Sequence, residues 1–170
     1  MKKFCGILLF FFVVACVLSG CQNNSVEDKN VQKANSIPEM VLNEPLKVET
    51  EYGDYTVTIS GATDVSSDPI FGEDGKKAVR LAYSYTNESF EGENSDLLID
   101  MSAFQVVDDT GTIVNKASTF SNDGQPIATP IGATCNAAVF YYLENNSDNI
   151  TVTFYRGNNE KLGRVIVPIK

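Results

Sequence analysis

Apolar and polar positions fall into three regimes along the chain. From Phe4 to Leu18 fifteen residues run almost unbroken in apolar character (FCGILLFFFVVACVL), behind Lys2 and Lys3. That is short of the ~20 residues a bilayer-spanning helix needs, and a basic start before a short apolar run has the form of a secretory signal. From Gln22 to Glu44 the sequence is rich in Asn, Gln, Ser and mixed charge, with no sustained apolar period. This predicts a flexible tether; about 20 residues of random coil span roughly 25 Å. From Pro45 onward the pattern becomes alternation.

The alternating positions are Leu46 and Val48; Tyr55, Val57 and Ile59; Val79, Leu81, Tyr83 and Tyr85; Phe104 and Val106, with Ile113 and Val114 after a turn; Ala137, Val139, Tyr141 and Leu143; Ile150, Val152 and Phe154; and Val165, Val167 and Ile169. A period of two in β-branched and aromatic residues predicts strands buried on one face. Turn signals separate them at Asp74-Gly75, Asp108-Asp109-Thr110-Gly111, Asp123-Gly124, Asn145-Asn146 and Gly157-Asn158-Asn159. No apolar stripe of helical period runs for three turns; Asp96 to Phe104 predicts one short helical turn, with Leu97, Leu98 and Met101 on a shared face. Seven or eight short antiparallel strands at this spacing predict an all-β chain, an immunoglobulin-like β-sandwich over residues 45–170, with an up-and-down barrel as the competing architecture.

Two resemblances add to this reading. Leu18-Ser19-Gly20-Cys21 resembles the bacterial lipobox, in register with the basic and apolar regions before it. That resemblance implies cleavage between Gly20 and Cys21, removal of residues 1–20, and a diacylglycerol thioether on the Cys21 sulfur. Two acyl chains anchor a protein durably where one does not. The implied location is the extracytoplasmic face of the cell membrane, with residues 21–44 as lipidated tether. The stretch from Lys77 to Asn87, Ala103-Phe104-Gln105 before a hairpin, and Pro130-Ile131-Gly132-Ala133 before Val139–Leu143 resemble a group of uncharacterised Gram-positive lipoproteins. Their immunoglobulin-like domain of unknown function is similar to a secreted immunoprotective antigen of mycobacteria. The resemblance covers Leu46 to about Tyr155, with a longer and more acidic 86–100 segment than the group's pattern. It implies fold and location and transfers no active site.

Charge and composition then narrow the function classes. The 170 residues carry 13 basic and 22 acidic side chains, net −9, and removal of the signal would make the chain more acidic still. A nucleic-acid partner requires the opposite sign. The absence of histidine removes Ser-His and Cys-His nucleophile pairs and histidine-containing metal sites. Of four cysteines, Cys5 and Cys16 lie in the signal and Cys21 at the lipobox, so Cys135 is the one thiol expected in the mature domain. Core burial is the expectation for it, since no histidine is available to activate it.

Three constellations remain. Acidic residues concentrate between Asp64 and Asp109, and Asp64, Asp68, Glu73 and Asp74 are weak calcium candidates. They lack the D-x-[DN]-x-[DN]-G spacing, so solvated loop charge is the favoured reading. A pair of carboxylates could serve a polysaccharide hydrolase without histidine, an alternative to be judged on a cleft. Finally, alternation turns Phe140, Tyr142 and Tyr155 outward, and if their strands are neighbours these rings form the first-choice surface for a protein or envelope partner. Ring packing under a loop is the bland account and is favoured over it. The chain therefore reads as a non-catalytic, cofactor-free, lipid-anchored binding module, with a carboxylate-dependent hydrolase or a purely structural envelope lipoprotein as alternatives.

Overall fold

The alternating segments form strands, and their apolar residues share one interior. The computed structural model describes residues 36–71, 76–93, 95–117, 124–157 and 159–170. The signal, Gly20, Cys21 and most of the tether lie outside these, as do Glu73 and Asp74. Among the described residues there are eight strands: β1 (Leu46–Thr50), β2 (Gly53–Asp64), β3 (Lys77–Asn87), β4 (Phe104–Asp108), β5 (Asn115–Lys116), β6 (Thr134–Leu143), β7 (Asn149–Arg156) and β8 (Glu160–Pro168). They form two sheets with strand orders β1-β2-β3-β6-β5 and β4-β7-β8, antiparallel throughout. The fold is an immunoglobulin-like β-sandwich. Sequence-distant β3 and β6 lie side by side, which an up-and-down barrel does not allow.

Between the sheets, Val57, Ile59, Val79, Leu81, Tyr83, Tyr85, Val139, Tyr141 and Leu143 of the larger sheet meet Phe104, Val106, Ile150, Val152, Phe154 and Val167 of the smaller. Burying side chains of this size contributes about 1.5–3 kcal/mol each, so the period-two pattern is also the principal source of stability. A bulge between Ile59 and Gly61 inserts Ser60 and lets Ile59 and Ala62 both face inward.

Four expectations need correction. Tether character stops before residue 44: the Arg164 amide donates to Pro38 O (2.9 Å) and the Met40 amide to Arg164 O (2.8 Å), adding residues 38–40 beside β8. Met40 is buried over Gly163, where an added Cβ would sit 2.4 Å from Met40 Cγ. A short apolar sequence, Met40-Val41-Leu42, was too brief to show a period. Second, the helical turn shrinks to a 3-10 turn at Met101–Ala103, with the Asp100 carboxylate accepting from the Ser102 amide (2.7 Å) and hydroxyl (2.6 Å). Leu97 and Ile99 are instead buried and Leu98 exposed, an extended alternation pinned by paired backbone bonds between Leu97 and Thr129. Third, β6 and β7 are consecutive yet lie in different sheets. β3 and β5 occupy both edges of β6, so the chain must cross to the other layer at Glu144–Asp148. Consequently Phe140 and Tyr142 do not share a face with Tyr155. Fourth, Phe140 does face away from the main core, as the alternation requires, but it is not a surface ring. It is 8% exposed, covered by Phe71.

Candidate site: a groove at the open side of the sandwich

Each residue singled out from the sequence has a definite local role. Phe140 stacks on Phe71 with ring centroids 4.3 Å apart and planes 15° from parallel, in a second small cluster with Ala78, Ala117 and Ala138. The covering loop is tied down by Val65 N donating to Ala78 O (2.8 Å) and Phe71 N to Asp68 O (2.9 Å). Tyr142 is half-buried beside it. Tyr155, on the other sheet, donates its hydroxyl to Gln105 Oε1 at 3.0 Å. Asp64 accepts from the Ser66 amide (2.9 Å) and hydroxyl (2.5 Å), and Asp68 from the Ile70 amide (2.9 Å). Both carboxylates thus close their own turns. Hydrogen bonds from Ser66 hold Asp64 below the ordinary carboxylate range. Among the described residues no three acidic or cysteine side chains gather as a metal site. Cys135 is buried on β6.

Two polar clusters position the loops. Asp108 is buried at the end of β4; its Oδ1 accepts from Thr110 N (2.9 Å), Thr110 Oγ1 (2.7 Å) and Thr112 N (2.9 Å), and its Oδ2 from Asn145 Nδ2 (2.6 Å). Burial alone would raise its pKa, but the hydrogen bonds from Thr110, Thr112 and Asn145 outweigh it and hold the carboxyl below its usual range. Ser147 extends the cluster to Asn145 and, at 2.6 Å, to Asp109 Oδ1. This network joins the turn after β4 to the turn that carries β6 into β7. At the other end Asn87 is fully buried: its amide nitrogen donates to Phe90 O and Thr129 O, both 2.9 Å, while its oxygen accepts from Phe90 N at 2.7 Å.

Between these ends lies the largest concavity, a groove of about 1600 Å³ bounded by residues 49–55, 95–106, 113–116 and 155–161 with Tyr141. It follows from the topology. The Val114 amide bonds Val106 O (2.9 Å), but from Asn115 the chain leaves β4 and pairs with β6, so the two sheets part along that side. Leu98 and Ile113, 50% and 62% exposed, sit on its rim. Tyr55 and Phe90 meet edge-on at 6.0 Å at one end, where Arg156 reaches Glu49 O (2.7 Å) and Glu160 Oε2 (2.6 Å). Tyr141 and its register partner Lys116 mark the other.

The groove carries phenols as neutral donors. Burial pushes the hydroxyls of Tyr141 and Tyr55 up, in the second case with Arg156 opposing and Glu160 adding to the shift. In the adjoining core Tyr83 is pushed up by burial and donates to Ile99 O (2.7 Å), and Tyr85, raised to about 12 by burial and by Cys135, donates to Ile127 O (2.5 Å). Sequence reasoning passed over this groove. Its one local signal was apolar residues outside the alternation, Leu98 and Ile113, which the strand pattern alone does not place together.

The family model for a domain of unknown function, DUF5067, matches residues 46–156. The chain belongs to this family. The DUF5067 segment includes seven of the eight strands and most of the groove; β8, which closes the smaller sheet, follows it. Among solved structures, the secreted protein MPT63 of Mycobacterium tuberculosis superposes with a TM-score of 0.57 at 10% identity, over 79% of this chain and 99% of that one. YcdA of Bacillus subtilis, proposed to be a lipoprotein, superposes with a TM-score of 0.51 at 12% identity, over 77% of this chain but 39% of its own length. Likeness at these identities establishes the DUF5067 fold and not a shared activity. No curated protein matches the sequence.

Proposed function

We propose that this DUF5067 protein is a lipid-anchored module at the extracytoplasmic face of the cell membrane, binding a protein or envelope partner without catalysis. The anchor is diacylglycerol on Cys21, and the tether from Cys21 to about Ile37 holds the domain off the bilayer. The signal and lipobox pattern support export; the printed descriptions of the two neighbours, one secreted and one proposed to be a lipoprotein, agree with it. The observation that carries the binding reading is the groove: one continuous concavity, larger than the ~300–1,000 Å³ usual for small-molecule sites, with apolar rim residues left exposed.

A photo-crosslinking amino acid at Leu98, expressed in the full chain in its own envelope, should yield a discrete adduct; the same group at exposed Ile166, outside the groove, should not. Replacing Cys21 by Ser should abolish fatty-acid labelling and leave the precursor unprocessed; normal labelling of that variant would remove the lipobox assignment.

The hydrolase alternative draws support from the same groove, whose walls carry Glu49, Asp96, Asp100 and Glu160. Two of these are already engaged: Asp100 caps the 3-10 turn and Glu160 pairs with Arg156. Release of reducing ends from purified envelope polysaccharide, lost on Asp96→Asn, would favour that reading over a binding module.

A further inference from the structure

Two features of the groove are unrelated to each other and point to one kind of occupant. The first is a free strand edge. β4 pairs with β7 on one side; on the other, Val106 O takes the Val114 amide and no strand follows upstream among the described residues. By ladder alternation, Phe104 and Val106 turn their main-chain groups toward that open edge. Phe104, Gln105 and Val106 all line the groove. Exposed strand edges are templates for a further strand.

The second is an unsatisfied donor. Tyr141, 1% exposed, lines the groove, and its hydroxyl is buried with no hydrogen-bond partner. Leaving such a group unpaired costs about 1–3 kcal/mol, which an acceptor supplied by a ligand would recover. Lys116 is its register partner on β5, so both side chains lie on the same face of the sheet. The cation adds a second donor at that end.

The register also sets the length. Tyr141 pairs with Val79 on β3, and Tyr55, at the other end of the groove, pairs with Asn87. Eight residues of strand separate these levels, about 26 Å at 3.3 Å per residue. A main chain offers a carbonyl every residue, matches an open edge by hydrogen bonds, and covers this distance with about eight residues. A glycan has no ladder to offer β4. An acyl chain gains little from walls that carry five carboxylates and three cations.

We propose that the groove binds an extended peptide segment as an added strand on β4, with one of its carbonyls accepting the Tyr141 hydroxyl. The proposal rests on the binding-module reading and specifies its partner. The acidic excess in the groove and the chain's net charge of −9 select peptides with basic side chains and speed their encounter.

The test uses the full-length chain in detergent micelles and a random pool of basic decapeptides, beside the same pool N-methylated at alternate backbone nitrogens. Unmethylated peptides should be retained and methylated ones lost. A recovered peptide should slow hydrogen exchange of the Val106 amide. Tyr141→Phe should weaken it about three- to tenfold, the range of one hydrogen bond, while leaving the thermal midpoint unchanged or higher, since no native partner is lost. Equal retention of the methylated pool, or an unaltered affinity in Tyr141→Phe, overturns the added-strand assignment. Binding of chitohexaose or oleate in place of peptide overturns it too, yet leaves a binding module. No retention of any probe, together with a silent crosslinker at Leu98, overturns both.

Discussion

Single residues separate direction from exposure. Phe140 points away from the main core, yet its ring is as enclosed as a core ring because Phe71 stacks on it. Phe140→Ser should therefore cost about 2–4 kcal/mol through lost burial and the cavity left under the loop, read as a lower denaturation midpoint, even though the strand phase is right. A change under about 0.5 kcal/mol would mean the 65–71 loop collapses onto the vacated site at no cost. Asp108 shows the converse, a charged residue that is structural. Its folded pKa lies below the unfolded value of ~3.9. The native state thus favours the carboxylate, and this contribution is complete above about pH 5. It fades as pH falls through the native pKa, where the unfolded chain binds the proton first. Thermal midpoints measured from pH 6 to 2 should fall less steeply for Asp108→Asn than for the native chain, from a lower starting value. Parallel slopes would remove Asp108 from the acid sensitivity.

At the scale of elements, contacts after residue 37 extend the domain beyond its strands. Residues 38–40 lie along β8 because Gly163 offers no side chain to keep Met40 out, and Leu46 approaches the same point at 3.3 Å. Gly163→Ala should cost about 1–3 kcal/mol by overpacking and release residues 38–42 to protease. Combined with Met40→Ala the two losses should add to less than their sum, since both disturb one contact. Full additivity would show that Met40 and Gly163 do not share it. The crossing from β6 to β7 is an element-scale event of the same kind. Asn145-Asn146 read as a turn from its composition, and a turn is there; that it leads into the other sheet depends on Asp108 and Ser147, which pin both sides of the crossing.

For the whole molecule, the sandwich closes on itself except where β4 and β5 part, and the groove lies there. The domain is bounded by residue 36 or 37 and not by Pro45. A chain begun at Leu46, which keeps the whole DUF5067 segment but loses Met40, should have a lower thermal midpoint than one begun at Ser36 with the same β-rich circular dichroism. Equal midpoints would show that residues 38–45 add nothing to the fold.

The sequence alone determined the β class, the inward phase of nearly every strand, the turns, and the family. These are local or periodic properties: alternation reports which face is buried, and turn chemistry depends on a few adjacent residues. Tertiary structure decided which strands are neighbours, that Phe140 and Tyr155 belong to different layers, that Phe71 covers an outward ring, and that Tyr141 and the β4 edge share one groove. Each of these depends on pairs of residues far apart in the chain. A period of two says which way a side chain points and is silent on what another segment places over it.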